Sequence, residues 1–139
     1  MSTAHIVEAG YIIIEPLTDP LEQPDWLHAD SEDLLTFVTP FLGPTATLMV
    51  HRFGSYIAAG ETWIQFELQD LAQTFGIGYS GGVNNPVLRT VERIHRFGFG
   101  QLHPTAPKLH IRTMIPPISR RFAERIPGYL ADICPYIVR

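Results

Sequence analysis

Basic residues are almost missing from the first 85 positions of this chain. Arg52 is the single base there against eleven acids, a formal charge of −10, whereas residues 86–139 carry nine bases against three acids, a charge of +6. The net charge of −4 is therefore the sum of an acidic half and a basic half, and only the basic half suits binding to a polyanion. This polarity is the strongest indication of function in the sequence.

Cysteine and long apolar runs are also scarce. Cys134 is the only cysteine, which excludes an internal disulfide and a thiolate metal cluster within one chain, and we expect its side chain to be buried. No stretch approaches the roughly 18 consecutive apolar residues of a membrane span, and neither end has the residue order of a signal peptide. We therefore expect a cytoplasmic protein with no membrane partner, and 139 residues fit one compact unit.

Motifs for catalysis or for a cofactor are missing as well. The sequence lacks Gly-x-Ser-x-Gly, His-Glu-x-x-His and a cysteine with a partnered histidine. The glycine-rich stretch 76–83 lacks the Gly-Lys-Ser/Thr ending of a P-loop, so flexibility is its expected role. His103 and His110 would face each other across a hairpin, but no third metal ligand accompanies them. We expect a protein that is not an enzyme and holds neither a cofactor nor a metal.

Prolines and acids interrupt residues 1–33, which we predict to be an arm outside the core. Within it, residues 11–14 form a β-branched run typical of a short strand, and Ser31 followed by two acids marks a helix start. The predicted organisation is an acidic arm over residues 1–43 and a folded domain over residues 44–139, together one unit. Either a loosely packed tail or a segment that binds a partner would fit the arm.

Helical periodicity dominates the middle of the chain. Apolar residues four, seven and eight apart predict a helix over residues 45–59, and a second buried stripe predicts a helix over residues 68–75. Asn85 and Pro86 then form a specific helix start, because the asparagine side chain caps a free amide and proline has no amide to leave unpaired. An apolar and a basic stripe share this helix. They are Val87, Val91 and Ile94, and Arg89, Arg93 and Arg96.

A hairpin follows the arginine-bearing helix. Residues 99–102 would form its first strand, and residues 108–115 alternate between apolar and polar side chains, which is typical of a strand with one buried face. Two prolines end the hairpin. Ser119 then caps a last helix that begins near Arg120 and is interrupted at Pro127.

Helix, glycine-rich connection, arginine-bearing helix and hairpin follow one another in the order of a winged helix-turn-helix. Within residues 66–117 the characteristic pairs and triplets are Leu71-Ala72, Phe75-Gly76-Ile77-Gly78, Gly81-Gly82, Asn85-Pro86, Arg89-Thr90, Arg93-Ile94, Arg96-Phe97-Gly98, Ile111-Arg112 and Pro116-Pro117. This pattern resembles small uncharacterised winged-helix proteins of high-G+C bacteria. The expected fold class is α+β, mainly α: a winged helix-turn-helix with an N-terminal acidic, Pro-rich arm and a C-terminal helix.

A winged helix places its second helix in the major groove and its hairpin along the backbone, so we predict a transcriptional regulator that binds double-stranded DNA as a homodimer. Phosphate neutralisation supplies much of the affinity, and guanidinium groups also pair with guanine. The candidate contacts on the helix are Asn85, Arg89, Thr90, Arg93 and Arg96. Those on the hairpin and the last helix are Lys108, His110, Arg112, Arg120 and Arg121.

Two observations favour other interpretations. An arginine stripe is also typical of a solvated helix face, and the ten residues from Gly76 to Asn85 are long for the tight turn of a helix-turn-helix. A winged-helix protein-interaction module, whose acidic half docks on a basic partner, would also explain the charge of residues 1–85. The arginines would then pair with acids of the same chain rather than lie on an open face. The acids considered are Glu61, Glu67 and Asp70.

Overall fold

Eight helices and six strands lie within residues 3–138, the part of the chain that this computed structural model describes. The helices are α1 (Ala4–Ala9), α2 (Glu32–Phe37), α3 (Thr39–Leu42), α4 (Pro44–Ala58), α5 (Leu68–Thr74), α6 (Pro86–Arg96), α7 (Arg120–Ala123) and α8 (Gly128–Ala131). The strands are β1 (Tyr11–Leu17), β2 (Leu27–His28), β3 (Ile64–Glu67), β4 (Gly100–Leu102), β5 (Lys108–Arg112) and β6 (Met114–Ile115). No helix in this range is long and apolar enough to cross a membrane. The predicted α+β class is confirmed.

Four strands form one mixed sheet in the order β3-β1-β5-β4. β1 runs antiparallel to β3, with Ile12 opposite Phe66, and parallel to β5, with Glu15 opposite His110. β4 and β5 form the predicted antiparallel hairpin. Its second strand, predicted over residues 108–115, ends at Arg112 instead, because β6 pairs with β2 in a separate sheet. A strand from the beginning of the chain is therefore inserted beside the hairpin.

The predicted N-terminal strand is central to the sheet rather than part of a peripheral arm. Ile12 and Ile14 are fully buried, because β1 has a neighbouring strand along each edge and its apolar run is covered on both faces. Pro16 is tolerated in this strand because the pairing with β3 ends at Ile14. The expectation that residues 1–33 lie outside the core is therefore wrong for β1, and also for Ile6 of α1, which is fully buried.

Helices α4 and α6 pack against each other and against the hairpin side of the sheet. α4 begins and ends within one residue of its predicted bounds, and α6 begins at Pro86 as predicted. The chain approaches α4 closely at Gly54, where a Cβ atom would lie 2.8 Å from the Cβ of Ala29. A glycine at this position lets the segment before α2 lie directly on α4.

The C-terminal segment returns to α2. The predicted last helix is interrupted earlier than Pro127, since α7 ends at Ala123 and α8 begins at Gly128. Beyond α8, the Tyr136 hydroxyl donates a hydrogen bond to the Asp33 carboxylate, which raises the pKa of Tyr136 to about 12. Cys134 is buried in this segment, as expected.

Candidate functional site

The arginines of α6 lie on the side of the helix opposite its buried stripe. Val87, Val91 and Ile94 are fully buried, whereas Arg89 and Arg96 are exposed. A rise of about 1.5 Å per residue separates these two arginines by about 10 Å along the helix axis. Neither forms an ion pair within residues 3–138, so two unneutralised guanidinium groups lie along one helix face.

Arg93, between them, is engaged inside the protein. Its Nε donates a hydrogen bond to the backbone carbonyl of Leu42, and its Nη2 donates to that of Phe41 at 3.1 Å. The guanidinium also lies over the Phe97 ring, 4.4 Å from its centroid. These carbonyls belong to the end of α3, where helix geometry leaves them without intrahelical donors. Arg93 therefore joins α6 to α3, and its prediction as a free phosphate contact is corrected.

The side chains of Asn85 and Thr90 form hydrogen bonds with the backbone of α6 itself. Asn85 is only 1% exposed, and its Oδ1 accepts a hydrogen bond from the amide of Val87 at 3.0 Å. The Thr90 hydroxyl donates to the carbonyl of Pro86 at 2.8 Å, although the residue is half-buried at the surface. The capping prediction for Asn85 is confirmed, and its prediction as a DNA contact is wrong because a buried cap cannot reach a base.

Two clefts adjoin along the basic face of α6 and meet at Arg93. The first, of about 250 Å³, separates α6 from the junction of α3 with α4 and includes Arg89 and Thr90 in its lining. The second, of about 360 Å³, lies between the end of α6 and α7. Its lining is Arg93, Arg96, Phe97, Arg121, Phe122 and Arg125. Among the described residues, no carboxylate lines either cleft.

We call the five guanidinium groups of these clefts the arginine surface: Arg89, Arg93, Arg96, Arg121 and Arg125. Arg121 and Arg125 are exposed, and both follow the Ser119 cap that starts α7. Arg125 is not among the contacts predicted from the sequence, although it lies four residues after Arg121, just beyond the end of α7. Arg120 is exposed but lines neither cleft.

Two stacked aromatic rings, Phe97 and Phe122, line the second cleft. The ring of Phe122 lies parallel to that of Phe97, with centroids 5.2 Å apart and planes 9° from parallel. It is stacked equally closely with Phe41, at 4.9 Å and 6°. Phe97 in turn has the Arg93 guanidinium over its face. Ring faces are therefore engaged with one another and with Arg93.

The bases of the hairpin are paired with two acids near the beginning of the chain: Glu15 lies in β1, and Asp19 lies two residues beyond it. Lys108 Nζ lies 2.9 Å from Glu15 Oε1, and His110 Nε2 lies 3.1 Å from Glu15 Oε2. Arg112 Nη1 lies 2.9 Å from Asp19 Oδ2, and its Nε donates to the carbonyl of Gly98 at 2.9 Å. The prediction that Lys108, His110 and Arg112 form an open clamp for a DNA backbone is therefore corrected.

The pKa values of both carboxylates in these ion pairs, Glu15 and Asp19, are lowered. The hydrogen bond from Lys108 lowers the pKa of Glu15 against the opposing effect of burial, and His110 lowers it further. The pKa of Asp19 is lowered first by the backbone amide of Leu21, which donates to its carboxylate at 2.8 Å, and then by Arg112. Both carboxylates are thus held in their charged form at neutral pH.

The acids considered as partners for the arginine stripe lie elsewhere. Glu61, Glu67 and Asp70 are exposed, and within residues 3–138 every ion pair shorter than 4 Å belongs to the hairpin. The acidic half of the chain therefore neutralises the hairpin through β1 and leaves the arginine surface unpaired.

The two hairpin histidines have separate partners. Their ring centroids lie 6.3 Å apart. His103 Nδ1 accepts hydrogen bonds from the backbone amides of Thr105 and Ala106, whereas His110 Nε2 is hydrogen-bonded to the Glu15 carboxylate. No group of three or more metal-ligating side chains occurs in the described part of the chain.

No family model, curated protein or solved structure matches this chain. Function must therefore be argued from the chemistry of the arginine surface and the hairpin.

Proposed function

We propose that this chain is a winged-helix protein that binds double-stranded DNA through the arginine surface and acts as a homodimeric transcriptional regulator. One observation carries the proposal: five arginines line two adjoining clefts in which no described carboxylate takes part. Neutralisation of backbone phosphates by such groups supplies much of the affinity of proteins for duplexes.

The order of elements supports the winged-helix assignment. α4, β3, α5, α6 and the β4–β5 hairpin follow one another as the helices and strands of that architecture do. β1 is an addition to it, because it occupies the place between β3 and β5 in the sheet. In this scheme α6 is the helix that enters the major groove, which is about 12 Å wide and admits one helix.

The exposure of each base assigns the contacts. Arg89 lies in the amino-terminal half of α6, where side chains reach base edges, and its guanidinium suits the O6 and N7 atoms of guanine. Arg96, Arg121 and Arg125 would contact phosphates. The hairpin contributes shape rather than charge, because Glu15 and Asp19 already neutralise its bases.

A salt titration of duplex binding tests the proposal. Four exposed arginines that each displace about one counterion predict a log-log slope of affinity against salt of about −3 to −4. Replacing Arg89 with alanine should weaken binding by about fivefold or more and reduce the magnitude of the slope by about one.

Arg52→Ala is the matched control. It removes the same charge from an exposed position on α4 that lines neither cleft, so we expect the wild-type slope. Failure of the wild-type protein to bind any duplex at low salt would exclude the proposal. Binding with equal losses in both variants would mean that net charge, rather than the arginine surface, is responsible.

A protein-interaction module is the second candidate, and the exposed acids of the first 85 residues favour it. Glu22, Asp25 and Asp30 lie on the surface together with Glu67 and Asp70, without ion pairs in the described residues. Such a surface suits a basic protein partner. A partner that remains bound after nuclease treatment, and after Arg89→Ala, would support this function over DNA binding.

A further inference from the structure

The second cleft has features that duplex binding does not require. Its volume of about 360 Å³ falls in the range of small-molecule sites, which is about 300–1,000 Å³. Guanidinium groups enter it from two separate elements, with Arg96 on α6 and Arg121 on α7. A flat contact with a DNA backbone needs neither a cleft of this volume nor guanidinium groups from two separate elements.

The stacked rings decide what kind of anion fits. Phe97 and Phe122 both line the cleft, but their faces are engaged by each other, by Phe41 and by Arg93. A nucleobase would need a free ring face to stack on. A phosphate group needs no ring face, because guanidinium groups bind its oxygens directly.

We propose that the cleft formed by Arg96, Phe97, Arg121, Phe122 and Arg125 is a binding site for a phosphate or polyphosphate group. Each exposed guanidinium can donate two parallel hydrogen bonds to phosphate oxygens. Arg93 contributes charge from the rear of the cleft while two of its N–H groups remain on the carbonyls of α3. The site takes the phosphate rather than the base of a nucleotide, and it does not depend on duplex binding.

Calorimetric titration with pyrophosphate, ATP and adenosine at low salt tests this site. Pyrophosphate and ATP should bind with affinities within about threefold of each other, because the charged phosphate oxygens provide the contacts. Adenosine should not bind. No binding of pyrophosphate, or binding of adenosine as tight as that of ATP, would overturn the proposal.

Arg121 and Arg120 offer a matched pair of variants. They are adjacent, exposed and equally charged, but only Arg121 lines the cleft. Arg121→Ala should weaken pyrophosphate binding about tenfold through loss of charge-assisted hydrogen bonds, whereas Arg120→Ala should stay within about twofold because its charge is screened by solvent. Equal losses in the two variants would reduce the site to non-specific attraction and overturn it.

A purely structural role for Arg121 is distinguished by thermal unfolding. The variant should keep the wild-type unfolding midpoint while it loses affinity; a lowered midpoint with unchanged pyrophosphate affinity would contradict a binding role.

Competition with a duplex identifies the source of the phosphate. If pyrophosphate displaces DNA, the cleft holds a backbone phosphate, and if both bind together, it serves a free phosphorylated compound. Either result supports the site. If the protein binds pyrophosphate but no duplex, the proposed DNA-binding function is excluded and the phosphate site is not.

Discussion

The hairpin and the arginine surface are both basic, but the hairpin bases are paired with acids and the exposed arginines are not. Lys108 and His110 share the carboxylate of Glu15, and Arg112 is paired with Asp19. The exposed arginines of α6 and α7 have no carboxylate within ion-pair distance in the described residues. The difference arises from one neighbour: β1 runs beside the hairpin, and its parallel register places Glu15 opposite His110.

This contrast shows that a count of bases along a chain overstates the charge that a partner can meet. Two acids, Glu15 in β1 and Asp19 just after it, neutralise the bases of the hairpin. The arginines remain available because no described carboxylate lines the clefts that α6 forms with α3, α4 and the segment that begins at α7.

The contrast depends first on β1 being part of the core. Ile14 is fully buried between β3 and β5, so Ile14→Ala should lower the free energy of unfolding by about 2–5 kcal/mol through lost burial and the cavity that remains. Urea unfolding measures the change. Ile133→Ala, at a position 67% exposed, should change it by less than about 0.5 kcal/mol. Similarly small effects of both substitutions would contradict a core position for β1.

Duplex affinity compares the two basic regions directly. Arg96→Ala should weaken DNA binding about fivefold to tenfold, because it removes an unneutralised phosphate contact. Lys108→Ala should leave affinity within about twofold, since Glu15 already neutralises the lysine. Fluorescence anisotropy with one duplex at one salt concentration is sufficient. If Lys108→Ala weakens binding as much as Arg96→Ala, the Lys108–Glu15 ion pair must break when DNA binds.

The smallest expected effect concerns the pairing itself. Glu15→Gln should lower the free energy of unfolding at neutral pH by about 0.2–1 kcal/mol, the usual contribution of a surface ion pair. Because Lys108 and His110 lower the pKa of Glu15 below its ordinary 4.5, this stabilisation is complete above pH 4.5 and is lost as the pH falls through the folded-state pKa.

Urea unfolding of Glu15→Gln as a function of pH gives the measurement. The difference from wild type should shrink below pH 4.5, where the wild-type carboxylate takes up a proton. Glu22→Gln, at an exposed acid, is the control and should show little difference at any pH. A constant difference for Glu15→Gln across the pH range would mean that side-chain shape, rather than charge, is responsible.

Elements with local signals could be predicted from the sequence. Asn85 and Pro86 begin α6 as predicted, Gly98 follows it with φ of +82°, and Ser119 caps α7. Caps and glycine stops act within one helical turn, so the residues that decide them are adjacent in the chain. The same locality explains why α4 and α5 were placed correctly.

Properties that depend on distant residues could not be predicted. Nothing near Lys108 indicates that Glu15, 93 positions earlier, lies beside it. The central position of β1 did have a signal, since four consecutive apolar residues without alternation are typical of a strand covered on both faces. Asn85 carried one as well: a side chain that caps its own helix is not available to read a base.

The insertion of β1 beside β5 also affects how the chain is made. Its partners on β5 follow it by about 95 positions, and ribosomes add about 5–20 residues per second. Ile12 and Ile14 consequently remain without their parallel neighbour for about 5–20 s of synthesis, while α4 and α6 gain their local contacts much sooner. The sheet therefore cannot be completed before β5 has been synthesised, and until then β1 has no neighbour on that edge.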